Sequence, residues 1–209
     1  MLTITKTLLL LSLAALTVAD VRQDTATQTL SPEYTNDAQL KFPEHYREWV
    51  FLSSGLDMSY TARAAGDMND FHSFDNVFVN PEAYQAFLKT GTWPDKTMMV
   101  LENRKGQQKG SINQQGRFQT ALLGVEVHVK DEAHFPGKWA FFAFDPHDKS
   151  STMIPTAAAC YSCHAQHAAV DTTFTQFYPT LLPIAKSKGT LSAGYLKEIE
   201  AAAQEEPHQ

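Results

Sequence analysis

Residues 120–131 read TALLGVEVHVKD, and the second half of that stretch alternates without a break. Val125, Val127 and Val129 fall on one side of an extended chain, and Glu126, His128 and Lys130 fall on the other. A period of two is the mark of a strand with one face in a core, and β-branched valines suit a pleated surface. Its neighbours agree. Residues 97–105 (TMMVLENRK) and 139–145 (WAFFAFD) are short apolar runs, the second ended by Asp145-Pro146. Between the first run and the alternating stretch lies KGQQKGSINQQG (105–116), polar and punctuated by glycine, which reads as a loop.

Moving toward the N-terminus, residues 76–91 read NVFVNPEAYQAFLKTG. Val77-Phe78-Val79 is a strand end. Asn80 then stands as a cap, Pro81 takes the first helical position, and Gly91 closes the helix. Order begins at FPEHYREWVFLSSG (42–55), where aromatic and β-forming residues suggest a first strand or a helix–strand junction. Several strands at short spacing with few long helices predict an α+β fold, mainly an antiparallel β-sheet with packed helices. No internal repeat is visible, and one domain over residues 41–190 accounts for the pattern. The chain has 209 residues, 43% of them hydrophobic, which is enough apolar matter to bury a core.

The flanks differ. Residues 1–19 carry a single Lys6, an apolar run from Leu8 to Ala19, and small residues at Thr17-Val18-Ala19. The run is short for a membrane span, so it reads as a signal peptide removed near Ala19, with a retained anchor as the alternative. The expectation is an exported, periplasmic protein. Residues 20–40 are polar and aperiodic, a flexible leader. Residues 191–209 form an acidic, helix-prone tail, expected to be a solvated or frayed end. Without residues 1–19 the chain holds 16 Lys+Arg against 23 Asp+Glu, a net −7. That balance argues against nucleic acid, which needs basic patches to replace phosphate counterions.

The chemistry concentrates in AACYSCHAQHAAVD (158–171). Cys160 and Cys163 are the only two cysteines, and His164 follows the second directly. A disulfide, half of a zinc site and covalent haem all compete for a Cys-x-x-Cys pair. Zinc fails on ligand count, since no second cysteine pair completes a structural set. A thioredoxin-type redox site belongs beside a βαβ pattern, which is not seen. Cys-x-x-Cys-His is the c-type attachment pattern: two thioether bonds clamp one porphyrin edge and the adjacent imidazole binds the iron. One covalent haem c per chain, in a C-terminal haem-attachment segment with His164 as metal ligand, is the reading. Five methionines (Met58, Met68, Met98, Met99, Met153) read as core or loop residues, and His167 falls on the same side as His164.

The order YREWV, NVFVNPEAYQAFLKTG, GVEVHVKD, PGKWAFFAF and CYSCHAQHAAVDTTFTQFYPTLLPIAK, over roughly residues 42–188, resembles the cytochrome P-460 and cytochrome c′-β family. The resemblance implies a homodimeric, mostly antiparallel β-sheet protein with a five-coordinate haem. It implies binding of nitric oxide or a related small nitrogen ligand and, in some members, oxidation of hydroxylamine. By the same resemblance Phe71, in NDFHSF, matches a distal phenylalanine over the open iron face, and Glu126 matches the proton acceptor of the hydroxylamine-oxidising members. Leu101 falls where the P-460 members carry a porphyrin-bonding lysine, and Lys96 and Lys105 are out of that register. Leucine has no nucleophilic nitrogen, so the departure leans toward the c′-β side. Three readings follow: a gas-binding cytochrome, a hydroxylamine oxidoreductase that passes electrons to a redox partner protein, and a six-coordinate electron carrier.

Overall fold

A computed structural model of the chain describes residues 30–59 and 71–205. Five antiparallel strands run in sequence order across one sheet: β2 (Val50–Leu56), β3 (His72–Val79), β4 (Met98–Gln107), β5 (Phe118–Lys130) and β6 (Trp139–Phe144). A separate ribbon pairs β1 (Leu40–Lys41) with β7 (Ser150–Ser151). The helices are α1 (Pro81–Thr90), α2 (Ala159–His167), α3 (Leu182–Lys188) and α4 (Ala193–Glu205). The fold is α+β, as the strand spacing predicts. Among the described residues no helix is long and apolar enough to cross a membrane.

Register decides which side chains meet. Val77, Leu101, Glu126 and Ala143 pair across four strands, and Val79, Met99, His128 and Phe141 form a second such row. These residues share one face, and Val125, Val127 and Val129 occupy the other, where all three are buried. The valine face packs on Leu40, Tyr46 and Trp49 from the N-terminal segment and on Phe142 and Phe144. Fully burying each valine contributes about 1.5–3 kcal/mol. The opposite face is covered by Ala83 and Phe87 of α1, Trp93, Val170, Tyr178, Leu181 and Ala185 of α3. Around the Val79–Met99–His128 row both faces of the sheet are therefore covered, whereas Glu126 and Ala143 farther along the same face are exposed. His128 and Lys130 are buried as a result.

Helix α1 follows its sequence signals, with Pro81 in the first turn and Gly91 at φ 76° closing it. Asn80 acts differently from a side-chain cap: its Oδ1 accepts the Met98 amide at 2.8 Å, which stitches the helix start to β4. At the other end Thr190 Oγ1 donates to the Gly91 carbonyl at 2.7 Å, tying α1 to the chain after α3.

A buried charge cluster holds the N-terminal segment on the valine face. Glu102 of β4 accepts from Arg47 Nε at 2.7 Å, from Arg104 Nε at 2.5 Å and from the Tyr46 hydroxyl. Burial alone would raise its carboxyl, but hydrogen bonds from Arg104, Tyr46 and Arg47 win and lower it to about 2. Each partner compensates the desolvation that would otherwise make a buried carboxylate unfavourable.

Two expectations about the flanks need correction. Composition assigns residues 20–40 to a flexible leader, and over the described part, 30–40, Leu40 is buried in the core, Leu30 and Tyr34 pack against it, and the Tyr34 hydroxyl donates to Asp131 at 3.1 Å. Three separated apolar residues anchor a polar segment that shows no periodicity. The tail is helical as expected, but Leu191 packs on the core and α4 lies against α2, with His167 Nδ1 joined to Glu198. Exposure is continuous only over its outer part, residues 196–204. The signal-peptide segment lies outside the described residues.

Candidate functional site

Helix α2 has nine residues, no side-chain N-cap and no buried residue, so it is too short to persist alone. Neighbours hold it. The Tyr161 hydroxyl accepts the Phe141 amide at 3.2 Å and donates to the Ile154 carbonyl at 3.0 Å, locking the helix to β6. Gln176 bridges its C-terminus, accepting from the Ala169 amide at 2.9 Å and donating to the His167 carbonyl at 2.8 Å. Gly194 of α4 presses on the Gln166 backbone carbonyl so closely that a β-carbon would collide with it.

The helix presents Cys160, Cys163 and His164 to a cavity of ≈ 530 Å³. That size lies within the range of cofactor sites. Cysteines three apart share a helix face, and both are free, partly exposed thiols rather than a disulfide. The His164 ring is packed by Phe174 (centroids 4.2 Å), Phe141 (4.6 Å) and His128 (5.3 Å). Its Nδ1 donates to the Thr172 carbonyl at 2.7 Å. A carbonyl only accepts, so Nδ1 carries the proton and Nε2 of the neutral ring keeps its lone pair. Burial pushes this imidazole below its ordinary value against the raising effect of the Thr172 bond, which favours the neutral form. Two thiols and a neutral, oriented imidazole on one cavity wall fit a covalently attached haem.

Thr172 serves a second imidazole. Its hydroxyl lies 3.2 Å from His128 Nε2, and the His128 ring stacks on Phe141 with centroids 4.0 Å apart. Complete burial and the neighbouring His164 hold His128 well below the usual histidine range, so it is uncharged. The loop bearing Thr172 is fixed in turn by Trp93, whose Nε1 donates to Thr173 Oγ1 at 2.8 Å.

The sheet forms the remaining wall in ordered rows. His128, Met99 and Phe141 make the row that touches His164. Two residues along, about 7 Å of strand, come Val77, Leu101 and Glu126; Asp75 and Asn103 follow. Burial raises the Glu126 carboxyl above the ordinary carboxylate range, and the Asp75 charge adds to the shift. The residue as a whole is nonetheless exposed to solvent.

Of the residues singled out in the sequence, Cys160, Cys163, His164, Leu101 and Glu126 come together here. Phe71 does not: it is 49% exposed and stands outside the lining, directly after the undescribed residues 60–70. Met58 and Met99 line the cavity, Met68 lies outside the described residues, and His167 points to Glu198 instead. Lys96 is engaged with Asp131 at 2.5 Å, and neither it nor Lys105 lines the cavity. Sequence reasoning missed Asp75, His128, Thr172 and Phe174. For His128 a signal exists, since it shares the Glu126 face of the alternating strand.

The Cytochrome P460 family model matches residues 43–175. The match takes in the whole five-stranded sheet, α2 and the Thr172 loop. No curated protein matches the chain significantly.

Proposed function

The chain belongs to the cytochrome P460 family and is a haem protein, and from that premise we propose an exported monohaem c-type cytochrome that binds nitric oxide or a related small nitrogen ligand in a largely apolar pocket. The observation that carries the proposal is the single wall formed by Cys160, Cys163 and His164, with Nδ1 of His164 committed to Thr172. Haem, when bound, supplies an iron that can take such a ligand and exchange electrons.

Each residue then has a task. The thiols of Cys160 and Cys163 would hold the haem by adding across its two vinyl groups, each S–H supplying the sulfur and the proton, and His164 would offer Nε2 as the metal ligand. Val77, Leu101 and Met99 line the cavity with apolar groups and offer no hydrogen bond to stabilise bound dioxygen; nitric oxide needs little such help. Leu101 brings no nucleophilic nitrogen, so no lysine–porphyrin bond forms at that position. Support for export is the apolar run of residues 8–19, and support for a homodimer is the family resemblance.

Glu126 favours a second reading, oxidation of hydroxylamine. A carboxylate in the cavity with a raised pKa can accept protons from a nitrogen hydride near neutral pH, while electrons leave to a redox partner protein. Optical spectra of the purified protein, oxidised and reduced, with and without nitric oxide, test the main proposal. A five-coordinate resting spectrum that shifts on adding nitric oxide is expected. A six-coordinate spectrum indifferent to nitric oxide would refute it and favour the electron-carrier reading.

A further inference from the structure

Asp75 has no role in the reading above, yet its position is well defined. It lies on β3 two residues before Val77, on the sheet face that lines the cavity, one row beyond Leu101 and Glu126. Asn103, its cross-strand partner, donates a hydrogen bond through Nδ2 to Asp75 Oδ1 and lines the same cavity. Two carboxylates therefore border the end of the cavity farthest along the sheet from His164. Among the described lining residues there is no Lys or Arg to balance them.

A third acid reinforces the field. Asp57 is held by His72 Nδ1 at 2.5 Å and by the Ser73 amide at 3.0 Å. Its charge adds to the burial that raises the Asp75 carboxyl, a shift the Asn103 hydrogen bond opposes. Small anions such as azide are good ligands of ferric iron, so a site built for them would place cations here. This site places acceptors of hydrogen bonds and negative charge.

We propose that Asp75 is a specificity-determining residue which, with Glu126, forms an acidic end wall that admits uncharged, hydrogen-bond-donating nitrogen ligands of the hydroxylamine class and disfavours small anions. The inference rests on the haem reading above and adds a charge criterion to it. Like charges in a partly desolvated cavity repel far more strongly than in bulk water. A neutral ligand escapes that penalty, and one bearing N–H or O–H groups finds acceptors in place.

The test uses haem-loaded wild type, Asp75→Asn, Glu126→Gln and the double variant, with azide titrated optically onto the ferric form and nitric oxide onto the ferrous form. The ratio of azide to nitric oxide affinity is expected to rise about tenfold in Asp75→Asn, and further in the double variant. An unchanged ratio across these variants overturns the proposal. Because a variant can fail to fold, wild type alone gives a second reading: added sodium chloride screens the repulsion, so azide should bind more tightly as salt rises. Weaker or salt-independent azide binding would overturn the proposal as well. Failure of the haem reading looks different, since the protein would then carry no covalent haem to titrate.

Discussion

Leu101 of β4 stands directly opposite Glu126 of β5, and both line the cavity that α2 closes. An apolar side chain and a carboxylate thus share one row of the sheet. Glu126 is the group a proton-transfer reaction would use, and its environment fixes the sign of the pH dependence. As a base it must be ionised, so hydroxylamine oxidation should rise with pH through a midpoint above the ordinary carboxylate value. Glu126→Gln should abolish that activity while haem content stays intact. Unchanged turnover in this variant would remove Glu126 from the chemistry.

The same shift bears on stability. A carboxyl raised on folding favours the folded state below its ordinary pKa, and that contribution is lost as pH rises through the folded value. Glu126→Gln should therefore melt higher than wild type at neutral pH and equal to it in acid. Thermal melts at both pH values check the sign.

Glu102 makes the opposite case. Its folded value of about 2 lies below the ordinary 4.5, so its contribution is present above the ordinary value and disappears as pH falls toward 2. Glu102→Gln leaves Arg104 and Arg47 without their carboxylate and should cost on the order of 3 kcal/mol at neutral pH. Denaturant titrations from neutral pH down toward the folded value should show the wild-type advantage shrinking in acid, and a constant gap would contradict the assignment.

Thr172 offers a cleaner separation, because its carbonyl serves His164 and its hydroxyl serves His128. Thr172→Val removes only the hydroxyl and leaves a buried ring nitrogen without that partner. A loss of about 1–3 kcal/mol in chemical denaturation is expected, with Thr172→Ser close to wild type.

Gly194→Ala tests the docking of the C-terminal helix. A β-carbon there meets the Gln166 carbonyl, and backbone gives way poorly. Overpacking of this kind costs about 1–3 kcal/mol, visible as a lower melting temperature. An equal or higher value would mean that α4 does not press on α2.

Much of this architecture is legible in short stretches of the chain. The alternation at 125–130 marks β5, the Pro81 and Gly91 signals frame α1, and Cys160-x-x-Cys163-His164 marks the α2 wall of the cavity, the candidate haem-attachment site. Each is a local pattern whose physics lies within a few residues. What stays hidden depends on pairing between distant segments. Asp75 reaches the cavity only because β3 pairs with β4 in a particular register, and Thr172 meets two imidazoles only because its loop is pinned by Trp93. The His128 face escapes a local reading because alternation shows which residues share a side, but not whether another layer covers that side. Residues 30–40 escape it for the same reason, since Leu30, Tyr34 and Leu40 find their partners far along the chain.

Intact-mass spectrometry of the mature chain, produced in a host that attaches haem, tests the central claim most directly. The expected result is a single species heavier by one haem, with the added mass lost when both Cys160 and Cys163 are replaced by alanine. Free thiols or a Cys160–Cys163 disulfide in the purified wild-type protein would contradict it.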